Sequence, residues 1–194
     1  MGAGMQGGIT IRGALAFLFI ALFALALAPG SAHAQRPETS EASVKAAFLY
    51  KFGGYVEWSP DAFTSPDASL VIAVLGSDAI AAELAKIVPG RSIDGHPVVV
   101  RKLREGESAR GAHLLFAGRM DPSRLQPILR AAQKDGVLAV TEMDKGLEMG
   151  AVINFVTAED RVGFEVSLDN AEKCGQRISS RMLTVARRVI PKAP

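Results

Sequence analysis

The sequence predicts an α/β fold: a single domain with a mixed, mostly parallel sheet, helices on both faces, a C-terminal β-hairpin and a long C-terminal helix. Three observations predict it. Short continuous apolar runs such as Leu70–Leu75 (LVIAVL) read as strands buried on both faces. Helical patterns alternate with these runs, and Gly76-Ser77, Pro89-Gly90 and Asp121-Pro122 punctuate the boundaries. Two alternating runs, Ala151–Thr157 and Arg161–Ser167, are joined by Ala158-Glu159-Asp160, a hairpin signal.

The first 34 residues read as a targeting segment. Arg12 precedes an apolar run, Ala14–Ala28, which Pro29-Gly30 breaks ahead of the small-residue signal Ala32-His33-Ala34. The run of about fifteen residues is short for a membrane span, which needs roughly 20. Residues 1–34 are therefore expected to be a signal peptide cleaved near Ala34, residues 35–40 a disordered tail, and residues 41–191 the folded domain. Gln35–Pro194 is 160 residues, enough for one domain with a sizeable core. That segment carries 21 basic and 20 acidic residues, so bulk charge gives no reason to expect nucleic-acid binding.

Ser40 is placed to cap the first helix. Val44, Phe48, Phe52 and Tyr55 recur at helical spacing, and Gly53-Gly54 weaken the last turn, so the helix is expected to fray or end near Glu57. Leu70–Leu75 is a strand and Ala79–Ile87 a helix. Pro97–Leu103 and His113–Phe116 are strands. Pro122 sits at the first position of a helix running to about Gln133. Val137–Thr141 is a strand, and the hairpin follows. Asp169 or Asn170 is expected to cap a long helix ending near Pro191. Ile178, Met182, Val185 and Val189 would form its apolar stripe.

Catalytic chemistry is hard to find. Gly76-Ser77-Asp78 lies between a strand and a helix, where backbone N–H groups can meet an anion, but the glycine-rich phosphate motifs are absent. There is no G-x-S-x-G elbow and no H-E-x-x-H pair. His96 and His113 lack a clustered Cys or carboxylate, so no metal or other cofactor is expected. His113 reads as a hydrogen-bonded residue at the edge of the core. Cys174 is the sole cysteine, which excludes an intramolecular disulfide, and its helical setting suggests an inert thiol. The chain is expected to bind and regulate and not to be an enzyme.

The most informative stretch is Val44–Pro60, VKAAFLYKFGGYVEWSP. It holds five of the nine aromatics that follow the leader, and both tyrosines and the only tryptophan are among them. Aromatic residues dominate cores and interfaces, and Tyr and Trp carry a polar handle suited to an interface. Phe52, Tyr55 and Trp58 are the candidate partner or dimer face, with core packing as the competing role, strongest for Phe52. An alternative site is the carboxyl edge of the sheet, where α/β proteins bind ligands. Gly76, Ser77, Gly118 and Thr141 would form it.

In order along the chain, VKAAFLYKFGGYVEWSP, VIAVLGSD, GHPVVVRKL, AHLLFAG, VLAVTEMDKGLEMGAVINFV, RVGFEVSLDNAE and ISSRMLTVARRV resemble segments of the YfiR family of small periplasmic proteins. The resemblance implies an α/β periplasmic repressor. It would bind the periplasmic domain of an inner-membrane diguanylate cyclase and lower cyclic-di-GMP and biofilm formation. It also implies an outer-membrane lipoprotein that can sequester the repressor, and a homodimer. Several positions depart from the family pattern. Ser59 separates Trp58 from Pro60, Ala112 stands where a Cys often precedes His113, and Ser167 replaces a common Asn. The family's disulfides cannot form here, which puts redox gating in doubt. The alternative function is a periplasmic small-molecule sensor feeding another signalling partner.

Overall fold

The computed structural model describes residues 40–192. The leader and residues 35–39 of the expected tail lie outside the described residues. Helix α1 spans Glu41–Gly53, and Ser40 caps it by accepting a hydrogen bond from the Ser43 N–H. A two-residue strand, β1 (Val56–Glu57), follows. Then come β2 (Leu70–Leu75), α2 (Asp78–Ile87), β3 (Ser92–Ile93), β4 (His96–Leu103), β5 (Leu114–Ala117), α3 (Pro122–Lys134), β6 (Leu138–Thr141), β7 (Ile153–Ala158) and β8 (Arg161–Ser167). The chain closes with α4 (Leu168–Lys173), β9 (Arg177–Ile178), α5 (Ser180–Leu183) and β10 (Arg188–Ile190).

The main sheet has eight strands in the order β10-β8-β7-β6-β5-β2-β4-β3. Strands β4, β2, β5, β6 and β7 are mutually parallel, as are β8 and β10. The β3–β4 and β7–β8 pairs are antiparallel. The expected hairpin is therefore present, and Glu159 and Asp160 turn it with φ of 51° and 56°, the geometry of a tight hairpin turn. After β2 the chain first adds β4 on one side and then β5 on the other. This makes the β2–β5 boundary the topological switch point of the sheet.

Both sheet faces are covered, as continuous apolar strands require. Leu70, Ile72 and Val74 face α1 and α2 with Leu114, Phe116, Leu138 and Val140. Ala73, Leu75, Leu115, Ala117 and Ala139 face α3 through Leu125, Leu129 and Ala132. On α1 the buried set is Lys45, Ala46, Leu49, Phe52 and Gly53. Val44 and Phe48 lie at its margin. Phe48 still packs its ring 5.8 Å from Phe52 and 5.5 Å from Phe164.

The long C-terminal helix does not form. Ser167 caps α4, which ends at Lys173, and Cys174 is its C-cap. Gly175 then takes φ +74°. The Gly175 N–H donates to the Glu172 carbonyl and the Gln176 N–H to the Ala171 carbonyl, the paired bonds of a Schellman stop. Arg177–Ile178 then pairs with β1, and Arg188–Ile190 pairs with β8. The apolar spacing that suggested one helix is shared among three elements. Ile178 is on β9, Met182 on α5 and Val189 on β10, while Val185 is 65% exposed. The β-branched character of Val189 and Ile190 suits a strand better than a helix.

Candidate functional site

The aromatic segment divides between core and surface. Phe52 is a core residue, 1% exposed, with its ring edge-on to Phe164 at 4.9 Å. Tyr55 is half-buried, and its carbonyl accepts from the Ser179 N–H across the β1–β9 pair. Trp58 is half-buried, and its Nε1–H donates to the Gly53 carbonyl at 2.7 Å. Phe52 can therefore act on a partner only through the packing of its neighbours, whereas Tyr55 and Trp58 retain exposed surface.

Trp58 belongs to a ring cluster at the amino ends of the parallel strands. Its indole is edge-on to His113 at 5.6 Å. Phe63 lies between the two histidines, 4.5 Å from His113 and 3.5 Å from His96. His113 is buried and ties three segments together. Its Nδ1 accepts from the Val71 N–H at 3.0 Å, and its Nε2 is 3.0 Å from the Ala62 carbonyl oxygen. The neutral Nε2–H tautomer satisfies both partners. A second proton on Nδ1 would face the Val71 donor. Burial lowers the His113 pKa; the Ala62 hydrogen bond opposes that shift and His96 adds to it.

Next to this cluster lies a cavity of about 670 Å³, with Trp58, Asp61, His113, Asp135 and Gln176 in its wall. The Gln176 Nε2 donates to the Gly136 carbonyl at 2.8 Å, which fixes the orientation of the amide. Its Oε1 is buried without a partner. Cys174 also lines the cavity, but its thiol donates to the Ala171 carbonyl at 3.2 Å. Burial pushes the Cys174 pKa up to about 11, so it is the inert thiol the sequence suggested.

The carboxyl edge is different. Gly76 has φ +74°, and Gly118 lies so close that a Cβ on it would come 2.6 Å from the Gly76 carbonyl oxygen. The Ser77 hydroxyl caps α2, accepting from the Ile80 N–H. Thr141 is fully buried, and its Oγ1 donates to the Ala117 carbonyl at 2.8 Å. These four residues are thus held at one edge of the sheet, but the two hydroxyls are already engaged by backbone. A cavity of about 430 Å³ does open beside Gly76, Met120 and Ile128. Of the charges around it, Arg124 pairs with Glu105 and Asp78 with Lys102, while Arg119 and Asp121 also line the wall.

Just past the carboxyl end of β6, Lys45 is 4% exposed and bonds both Glu41 and Glu142. The Lys45 hydrogen bond is the largest cause lowering the Glu41 pKa. Neither Lys45 nor Glu142 was given a role from the sequence. The i,i+4 spacing of Glu41 and Lys45 was the available signal. Among the described residues, no cluster of His, Cys, Asp or Glu could hold a metal ion, and no helix is long and apolar enough to cross a membrane.

The structure is a doubly wound α/β domain in which the buried histidine is tied to backbone and the buried thiol is inert. The chain belongs to the YfiR/HmsC-like family, whose model matches residues 42–187. That family is one of periplasmic regulators of cyclic-di-GMP signalling, and its members act on signalling partners as regulators rather than as enzymes. No curated protein matches the chain. In structure it is similar to a conserved domain protein from Vibrio cholerae O1 biovar El Tor, with 13% identity and a TM-score of 0.50. The match covers 77% of this chain and 60% of that one, and at that identity the likeness is one of fold.

Proposed function

We propose that this protein is a periplasmic repressor that binds the periplasmic domain of an inner-membrane diguanylate cyclase, lowering cyclic-di-GMP and biofilm formation. The observation that carries the reading is the family match over residues 42–187, nearly the whole described domain. The half-buried Tyr55 and Trp58, which follow α1, are the proposed partner or dimer face. Sequestration by an outer-membrane lipoprotein would relieve the repression. Deleting the gene should raise cyclic-di-GMP, and capture from membranes with the tagged protein should retain a cyclase. An unchanged nucleotide level together with no retained cyclase would exclude this role.

A second reading, a small-molecule sensor, is favoured by the cavity at the amino ends of the strands. A ligand there would sit beside Trp58, and so beside the proposed partner face. The same protein could then couple a periplasmic signal to the cyclase.

A further inference from the structure

We propose that the 670 Å³ cavity at the amino ends of the strands binds a small organic cation, an ammonium compound that carries no carboxylate. Three features of the wall lead to this class.

The first is its charge. Asp61 and Asp135 line the cavity, and no Lys or Arg does. An anionic or zwitterionic ligand would bring a carboxylate to a wall without a cation to receive it. Desolvating that carboxylate unpaired is costly.

The second is the hydrogen-bond inventory. Trp58 Nε1–H is held by Gly53, His113 Nε2–H by Ala62 and one of the two Gln176 amide N–H groups by Gly136. What remains is mainly the acceptor capacity of the two carboxylates, against a single Gln176 N–H. Ser and Thr hydroxyls along the wall can adapt either way. The wall therefore favours a ligand that donates.

The third is the ring. Trp58 borders the cavity, and an indole is the strongest of the aromatic surfaces for an ammonium group. Aromatic surface beside carboxylates is the combination that holds organic cations, through ring quadrupole and charge together. The volume is that of a small-molecule site, within the usual range of roughly 300–1,000 Å³.

Such a ligand would supply the input for the sensing role, and it would do so from the side of the molecule that carries the proposed partner face. The test uses Trp58 as its own reporter, because it is the only tryptophan in the chain. The purified protein is titrated with choline and with putrescine, and with glycine betaine and acetate as comparisons. Indole emission should change saturably with at least one of the two cations and not with acetate. Glycine betaine, which adds a carboxylate to the same ammonium group, should bind more weakly than choline. The double variant Asp61→Asn/Asp135→Asn should bind the cation about ten-fold more weakly or worse, with its melting temperature unchanged. No saturable change with either cation overturns the proposal. So does equal affinity in the double variant, or binding of acetate as tight as that of the cations. Repression is measured separately, as cyclic-di-GMP in cells, so either reading can fail alone.

Discussion

At the carboxyl ends of the strands backbone presses on backbone at Gly76 and Gly118, and the cavity beside them is the smaller of the two at about 430 Å³. At the amino ends, side chains surround open space. The first edge holds the topological switch point, where doubly wound sheets ordinarily take a ligand. Here Gly118 is pressed against Gly76, the Ser77 and Thr141 hydroxyls bond backbone, and Lys45 is locked between Glu41 and Glu142. The amino edge instead carries a cavity of about 670 Å³, the Trp58–His113–Phe63–His96 rings and a buried acceptor without a donor. Topology alone points to the first edge, and the unengaged carboxylates Asp61 and Asp135 point to the second. Which groups are already satisfied is the better guide to where a ligand can still be received.

If the carboxyl edge is structural, substitutions there should cost stability. The largest effect should come from Lys45→Ala. It leaves Glu142 partly buried without its cation and cuts the link between α1 and the end of β6, at an expected cost of about 3 kcal/mol. Urea unfolding gives the value, and a loss below about 1 kcal/mol would mean the buried pair is not what holds this edge. Gly118→Ala should follow at about 2 kcal/mol, because the new methyl group meets a backbone oxygen rather than a side chain that could swing away. A neutral Gly118→Ala would show that the crevice between β2 and β5 can open.

His113 offers a pH test of the amino edge. Its folded pKa is lowered from 6.5, chiefly by burial, so the unfolded chain takes up the proton first. Its contribution is therefore complete above about pH 6.5 and is lost as pH falls below that value. The loss levels off once pH passes the depressed folded pKa. While it lasts, the slope can reach about 1.4 kcal/mol per pH unit for one proton. The difference in stability between wild type and His113→Gln, followed from pH 7.5 to 5, should show this slope on the wild-type side alone. Parallel curves would mean that Val71 and Ala62 do not hold His113 neutral.

Most of this comparison was not visible in the sequence, though most of the fold was. Leu70–Leu75 declares itself because both faces of β2 are buried and every position is apolar or small. The hairpin declares itself because its strands alternate and its turn residues accept positive φ. The C-terminal helix was misread because periodicity records which residues are buried and not which element buries them. One glycine, Gly175, overrode a helical spacing that Ile178, Met182 and Val189 satisfy from three different elements. The site was harder still. Trp58 and His113 were each singled out, but 55 positions separate them, and only the parallel pairing of β2 with β5 brings their ends together. The cavity between them depends on loops whose closure no local pattern encodes.

The smallest expected effect is the most discriminating. Asp61 and Asp135 are exposed and no ion pair is formed by either among the described residues. If they stand ready for a ligand, they hold nothing together in the ligand-free protein. Asp61→Asn and Asp135→Asn should then each change stability by no more than about 0.5 kcal/mol, in contrast to Lys45→Ala at the opposite edge. Urea unfolding of the two variants beside Lys45→Ala makes the comparison directly. A loss of about 2 kcal/mol in either Asp variant would make that carboxylate structural and erase the distinction between the edges. Unchanged stability leaves two carboxylates that the fold does not need, in the wall of the cavity that Trp58 also lines, and such residues are the ones free to answer to a ligand.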